Sequence, residues 1–292
     1  MYFNRFGKTD LMVSVLGFGA GEIGDLNIDD KIVNNLLNFA LDNGINLIDT
    51  ARGYYASEDR IGRFISHRRN EYILSTKVGY GIDSEPDWSY NSVIKGIEEA
   101  LIKLRTDYID IVHLHSCSLD ILKNGEVILA LQKAKEQGKI KLTAYSGENE
   151  ELKYAVNCNF FDSIQTSFNI CDQNNLFSIF PIAKQKGMGV IAKRSIANAP
   201  WLYNEQPYGK YVEEYWKRWQ KMGFENNIDW FNIALRFTAY AKGVDCAIVG
   251  TTNIEHLKRN IEYINSGKLS DDDENLIIQK YIQNNTDWVS QI

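Results

Sequence analysis

Val13-Ser-Val-Leu-Gly-Phe-Gly19-Ala-Gly-Glu-Ile-Gly24-Asp-Leu-Asn-Ile-Asp-Asp30 is the stretch on which two folds divide. A short apolar run, residues 13–16, leads into Gly19-Ala20-Gly21-Glu-Ile-Gly24, a match to G-x-G-x-x-G, and an acidic residue, Asp49, ends the next apolar run. That layout suits the βαβ unit of a doubly wound, dinucleotide-binding sheet. In such a unit the third glycine packs inside the first helical turn, so the helix must start at once. Here residues 24–27 intervene, and helical periodicity begins only at Asp29 and Asp30. The glycines therefore read as an open loop after a first strand.

The remaining chain favours a different closure. Val- and Ile-rich runs recur at residues 13–16, 46–48, 72–75, 109–114, 141–144, 163–165, 189–192 and 246–249, each followed by a longer stretch of helical periodicity. In residues 29–43, Ile32, Leu36, Phe39 and Ala40 share a face; residues 90–104 repeat the pattern, with Ser92 or Asn91 as expected cap. Gly44, Gly138 and Gly187 follow helices where left-handed C-terminal glycines belong. Eight strand–helix units predict a (β/α)8 TIM barrel spanning residues 1–292 as one domain. Two pieces fall outside the count. Residues 1–11, with Gly7 at the turn, predict an N-terminal hairpin over the barrel bottom; residues 200–224 predict an aromatic-rich helical insertion between strand seven and helix seven.

Composition is that of a globular chain: 292 residues, 44% hydrophobic, 24% charged, formal charge −6. The negative balance argues against nucleic acid or an anionic membrane surface as partner. No run reaches the roughly 18 apolar residues of a membrane helix, and residues 1–10 lack a signal-peptide core. The scattered Cys117, Cys158, Cys171 and Cys246 predict reduced thiols in a cytoplasmic protein.

In a barrel, chemistry sits at the C-terminal strand ends. Strand two ends at Asp49 with Tyr54 close behind, strand three at Lys77, strand four at His115. Singly, each has a plain reading: a turn cap, one of 16 tyrosines, a solvated lysine, a core histidine. Together they fit proton transfer near neutral pH. A free phenol, with a pKa of about 10, is a poor acid there; a neighbouring ammonium stabilises its phenolate, and a buried ammonium needs a carboxylate counter-ion. His113-x-His115 invites a metal reading, but a catalytic zinc wants three protein ligands, and only His67 and His256 remain. No metal is expected.

Asn46-Leu-Ile-Asp49-Thr-Ala-Arg-Gly-Tyr54, Ser75-Thr-Lys77-Val-Gly79 and Asp107-Tyr-Ile-Asp110-Ile-Val-His113-Leu-His115 resemble three motifs of the aldo-keto reductase family, and residues 6–19 resemble its opening segment. The resemblance runs through Asn260. It implies a (β/α)8 barrel, a nicotinamide cofactor that is usually NADPH, and reduction of carbonyls to alcohols. Carried over by position, Tyr54 is the proton donor, Lys77 and Asp49 tune it, and His115 orients the substrate. Tyr54 rather than Tyr55 lies five residues after the Asp. Gly19 and Ala20 leave room for the nicotinamide, and Ser146 and Gln165 would hold its carboxamide. Gly147 departs from the family's usual Asn, and Lys193 from a common aromatic. Lys193 and Arg194 are expected at the cofactor phosphates. Gly250-Thr251-Thr252-Asn-Ile-Glu-His256-Leu-Lys-Arg-Asn260 resembles the family's phosphate-binding segment; physically it is a turn entering a helix N-terminus, with Thr252 or Asn253 as cap. His256 stands where NADPH-preferring members often carry Arg, so NADP(H) is expected with NAD(H) as the alternative.

The substrate implied is a small-molecule carbonyl compound, acted on by a monomer. Trp88 and the aromatics of residues 201–224 would shape its pocket, while Tyr211, Tyr215 and Trp219 have the spacing to pin a helix to the barrel. Two rivals stand beside the reductase: a cofactor-sensing regulatory subunit on the same barrel, and a sugar or alcohol dehydrogenase running in the oxidative direction.

Overall fold

Strands of a parallel barrel are buried on both faces, which is why they appear in the sequence as continuous apolar runs rather than alternating ones. The computed structural model describes residues 1–225 and 228–292. β1 (Phe3–Arg5) and β2 (Met12–Ser14) form an antiparallel hairpin. β3 (Leu16–Gly19), β4 (Leu47–Asp49), β5 (Ile73–Val78), β6 (Ile109–His115), β7 (Ile140–Ser146), β8 (Ser163–Ser167), β9 (Gly189–Lys193) and β10 (Cys246–Val249) are parallel and close into a barrel, with β10 pairing to both β9 and β3. The expected (β/α)8 TIM barrel with an N-terminal hairpin is the fold.

The first barrel strand starts later than expected. Residues 13 and 14 of the expected run belong to the hairpin arm β2, and the barrel strand begins at Leu16. Ser14 makes the change of direction: its Oγ donates to Leu16 O at 2.6 Å and accepts from Asn46 N at 3.0 Å, while its N–H donates to Asn46 Oδ1 at 2.7 Å. The hairpin tip carries Phe6, wholly buried with Leu47, Ile73, Ile111 and Ile191 in the inner core at the barrel bottom. Gly189 leaves the space for that ring; a Cβ there would lie 2.4 Å from it.

Helix Asp30–Asp42 starts where Asp29 accepts from Lys31 N at 2.7 Å. Helix Tyr90–Leu104 has the expected span, but Ser89 caps it instead of Ser92 or Asn91. Ser92 already lies in the first turn, donating its N–H to Ser89 Oγ at 3.1 Å. Gly44, Gly138 and Gly187 have φ of +82°, +73° and +70°, as a left-handed C-terminus requires. Between β9 and the helix Trp230–Ala239 lie a short turn, Pro200–Leu202, and the helix Glu213–Met222. Tyr215 and Trp219 are buried and pin that helix; Tyr211 precedes its first turn and is 64% exposed. No helix among the described residues is long and apolar enough to cross a membrane.

Candidate active site

Alternate strand residues share a face, so Ser75 and Lys77 of β5 both reach Asp49, the last residue of β4. Lys77 Nζ donates to Asp49 Oδ2 at 2.7 Å and to Thr50 O at 2.8 Å; Ser75 Oγ donates to Asp49 Oδ1 at 2.8 Å. Lys77 and Asp49 are each 1% exposed. Burial pushes the Asp49 carboxyl up, but Lys77, His113 and Ser75 outweigh it and hold it below its ordinary value. Burial likewise pulls Lys77 down, and Asp49 with the Tyr54 hydroxyl, through charge and hydrogen bonding, leaves it raised. The result is a buried ion pair, a state stable only when both partners are satisfied.

Tyr54 sits in the turn after β4, its N–H donating to Ala51 O at 3.0 Å. Its ring centroid is 5.0 Å from Lys77 Nζ and 6.1 Å, edge-on, from the His115 ring. Tyr55 is 83% exposed and stands outside the group. His115 ends β6, and its Nδ1 lies 3.0 Å from Tyr80 Oη. Burial, then repulsion from Lys77 and Lys193, pushes its pKa down to about 3, so the imidazole is neutral at pH 7. His113 is buried in the barrel with Nε2 3.1 Å from Ser75 Oγ. The two imidazoles thus have separate partners. Among the described residues no cluster of three or more His, Cys, Asp or Glu is placed to hold a metal ion.

A cavity of about 690 Å³ opens over this group, lined by Gly19, Asp49, Tyr54, His115, Lys193, Arg194 and Gly250 among others. A second, of about 370 Å³, is lined by Gly250, Thr251, Thr252, His256, Arg259 and Asn260; the two share Glu22, Ile196, Val249 and Gly250. Asn253 caps the helix Ile254–Asn265 below the second cavity, accepting from Glu255 N at 2.9 Å. The sequence-derived candidates therefore divide. Most line one cavity or the other, whereas Lys77, Ala20, Ser146 and Gln165 lie buried behind the first. Ala20 N donates to Asp49 O at 2.7 Å. Gln165 Nε2 donates to Asp49 Oδ1 at 2.8 Å, and Ser146 Oγ donates to Gln165 Oε1 at 3.2 Å. The reason is register: Ser146 and Gln165 are directly paired across β7 and β8.

Lys193 Nζ lies 3.2 Å and Arg194 Nη1 3.7 Å from the Glu148 carboxylate, which is buried and also accepts from Ser167 N and Oγ. Burial lowers the Lys193 pKa, with Glu148 opposing it. Four residues were missed in the sequence. Arg259 had a signal, three positions from His256 on one helix face. Glu148, Tyr80 and Asn198 had none beyond lying in loops after strands. Asn198 lines the large cavity with a buried Nδ2 that has no hydrogen-bond partner among the described residues.

Residues 15–282 match the model of the Aldo/keto reductase family, and the chain belongs to that family of oxidoreductases. It is 31% identical to L-galactose dehydrogenase of Arabidopsis thaliana over 65% of this chain and 64% of the other, so it spans just under two thirds of the plant protein's length. It is 27% identical to D-arabinose 1-dehydrogenase of Saccharomyces cerevisiae, covering 87% of this chain and 83% of that one. The fold matches aldo-keto reductase AKR11C1 from Bacillus halodurans in its holo form, with TM-score 0.82, 24% identity and 96% of each chain covered.

Proposed function

We propose that this chain moves hydride between a nicotinamide dinucleotide and a small carbonyl compound, with Tyr54 as the proton donor to the carbonyl oxygen. The observation that carries this reading is the position of the Tyr54 ring at the floor of the large cavity, between a buried ammonium and a neutral imidazole. Lys77 stabilises negative charge developing on the phenol oxygen; Asp49, held by Ser75 and Gln165, keeps Lys77 protonated and in place. His115 offers a hydrogen bond to the carbonyl oxygen and, with its pKa pushed down to about 3, is too weak a base to take a proton from Tyr54.

The residues present fit a dinucleotide. Asn198 Nδ2 is an orphaned buried donor in the cavity wall, and the left-handed backbone at Ala197, Asn198 and Ala199, with φ of +49°, +55° and +54°, is strain of the kind stored at ligand clamps. When bound, the nicotinamide supplies or accepts the hydride. Ser195, Asn198 and Arg194 would hold it along the first cavity, and Thr251, Thr252, His256, Arg259 and Asn260 along the second. Arg259 beside His256 favours the extra phosphate of NADP(H), with NAD(H) as the alternative. Ser146 and Gln165 would engage a carboxamide only by exchanging their present bonds. Four unpaired cysteines favour a reducing compartment such as the cytoplasm.

A second direction has specific support. Two curated relatives carry sugar dehydrogenase names, and the same residues run backwards would take the proton from an anomeric hydroxyl. The test is Tyr54→Phe. Turnover should fall by about 10²–10⁴, the range for a positioned general acid, with cofactor affinity retained. Near-normal kcat in that variant would refute the assignment. Initial rates on an aldehyde panel with NADPH and an aldose panel with NADP⁺ decide the direction.

A further inference from the structure

The loop after β5 carries a second phenol at the site. Tyr80 stands three residues beyond Lys77, its Oη 3.0 Å from His115 Nδ1 and its ring stacked on the imidazole at 5.6 Å. The chain makes room for it twice. A Cβ on Gly53 would lie 2.5 Å from Tyr80 Oη, and a Cβ on Gly79 would lie 2.0 Å from the ring of Trp88, which packs against Tyr80 at 5.7 Å between centroids.

A neutral imidazole carries one N–H and one lone pair. With Nδ1 turned to Tyr80, Nε2 is the nitrogen left for the cavity. A phenol that donates to Nδ1 leaves the proton on Nε2, where it can meet a carbonyl oxygen. A phenol that accepts from Nδ1 leaves a lone pair on Nε2, which repels that oxygen. Burial raises the Tyr80 pKa, so the hydroxyl has its proton to give.

We infer that Tyr80 is a positioning residue: its hydroxyl donates to His115 Nδ1 and holds the imidazole as the Nε2–H tautomer facing the substrate. This rests on the hydride-transfer reading above, but the tautomer is measurable without turnover. The experiment is a two-bond ¹H–¹⁵N spectrum of the full chain labelled with ¹⁵N-histidine, the His115 signals being assigned by their loss in His115→Asn. In the wild type, Nε2 should show the protonated shift and Nδ1 the unprotonated one. In Tyr80→Phe that pattern should give way to a tautomer mixture, and kcat should fall about tenfold, the orienting effect of one hydrogen bond, with cofactor Kd unchanged. An Nδ1–H tautomer in the wild type overturns the inference, as does a Tyr80→Phe chain in which either the ¹⁵N pattern or kcat is unaltered. The wild-type spectrum stands by itself if the variant folds poorly. Should Tyr54→Phe keep its activity while the tautomer result holds, the proton-donor assignment fails and the Tyr80–His115 bond remains.

Discussion

At the ends of β4 and β6 the Asp49 carboxylate and the His115 ring are held by protein partners; in the loop after β9 a buried donor has none among the described residues. Asp49 accepts from Lys77, Ser75 and Gln165, all on strands, and His115, at the end of β6, is engaged by Tyr80 from the loop after β5. Across the mouth, Asn198 Nδ2 is buried and unpartnered, and its backbone runs left-handed through three successive residues without a glycine. Rigid strands fix a charge arrangement at the expense of two buried ions. A strained loop keeps its hydrogen-bonding capacity for a ligand. One side is pre-organised for chemistry, and the other for binding.

Breaking the first side should have the largest effect. Lys77→Met strands the Asp49 carboxylate in the barrel, and urea unfolding should show a loss of about 3–5 kcal/mol. Adding Asp49→Leu should recover most of that stability and none of the turnover. A Lys77→Met chain as stable as the parent would mean the pair is not a unit. The binding side should respond in affinity instead. Arg259→Ala should weaken NADPH about tenfold by fluorescence titration and leave NADH nearly unchanged; equal losses would place Arg259 away from the added phosphate. Asn198→Gly sharpens the contrast further. It removes a donor with no present partner and relaxes the left-handed backbone, so stability should hold or rise by up to about 1 kcal/mol while cofactor Kd rises several-fold. The smallest effect expected is on pH dependence. His115 titrates at about 3 in the folded chain, depressed from its ordinary 6.5. It therefore stays neutral from pH 5 to 8, and kcat should show no imidazole limb near 6.5. A limb there that disappears in His115→Asn would contradict the burial of that ring. An unfolded imidazole takes up a proton that the folded one refuses, so stability contributed by this group is lost as pH falls from about 6.5 toward 3.

The same contrast explains what could be read from the chain. Strands buried on both faces leave Val- and Ile-rich runs, and a strand end is a fixed place, so Asp49, Lys77 and His115 could be assembled from spacing. The later strand ends were located equally well, but their side-chain partners were not. Whether Gln165 faces a ligand or Asp49, and whether Lys193 and Arg194 meet phosphate or Glu148, depends on register between strands and on loops distant in sequence. Tyr80 and Asn198 were illegible for that reason. The shift of β3 was hidden because Ser14 and Asn46 together bend the chain inside what reads as one apolar run.

Barrel closure has a consequence for the protein as it is made. β3 begins at Leu16, and one of its two neighbours, β10, lies at residues 246–249. While the ribosome is still translating, that flank of Leu16–Gly19 has no mate, and its unpaired amides are open to any other nascent strand. The seam where Gly19 meets Gly250 is thus the last to be sewn, and its Gly250 side lies in the wall of both cavities. A chain stopped short of Cys246 would be an open sheet with an adhesive margin and no complete cleft.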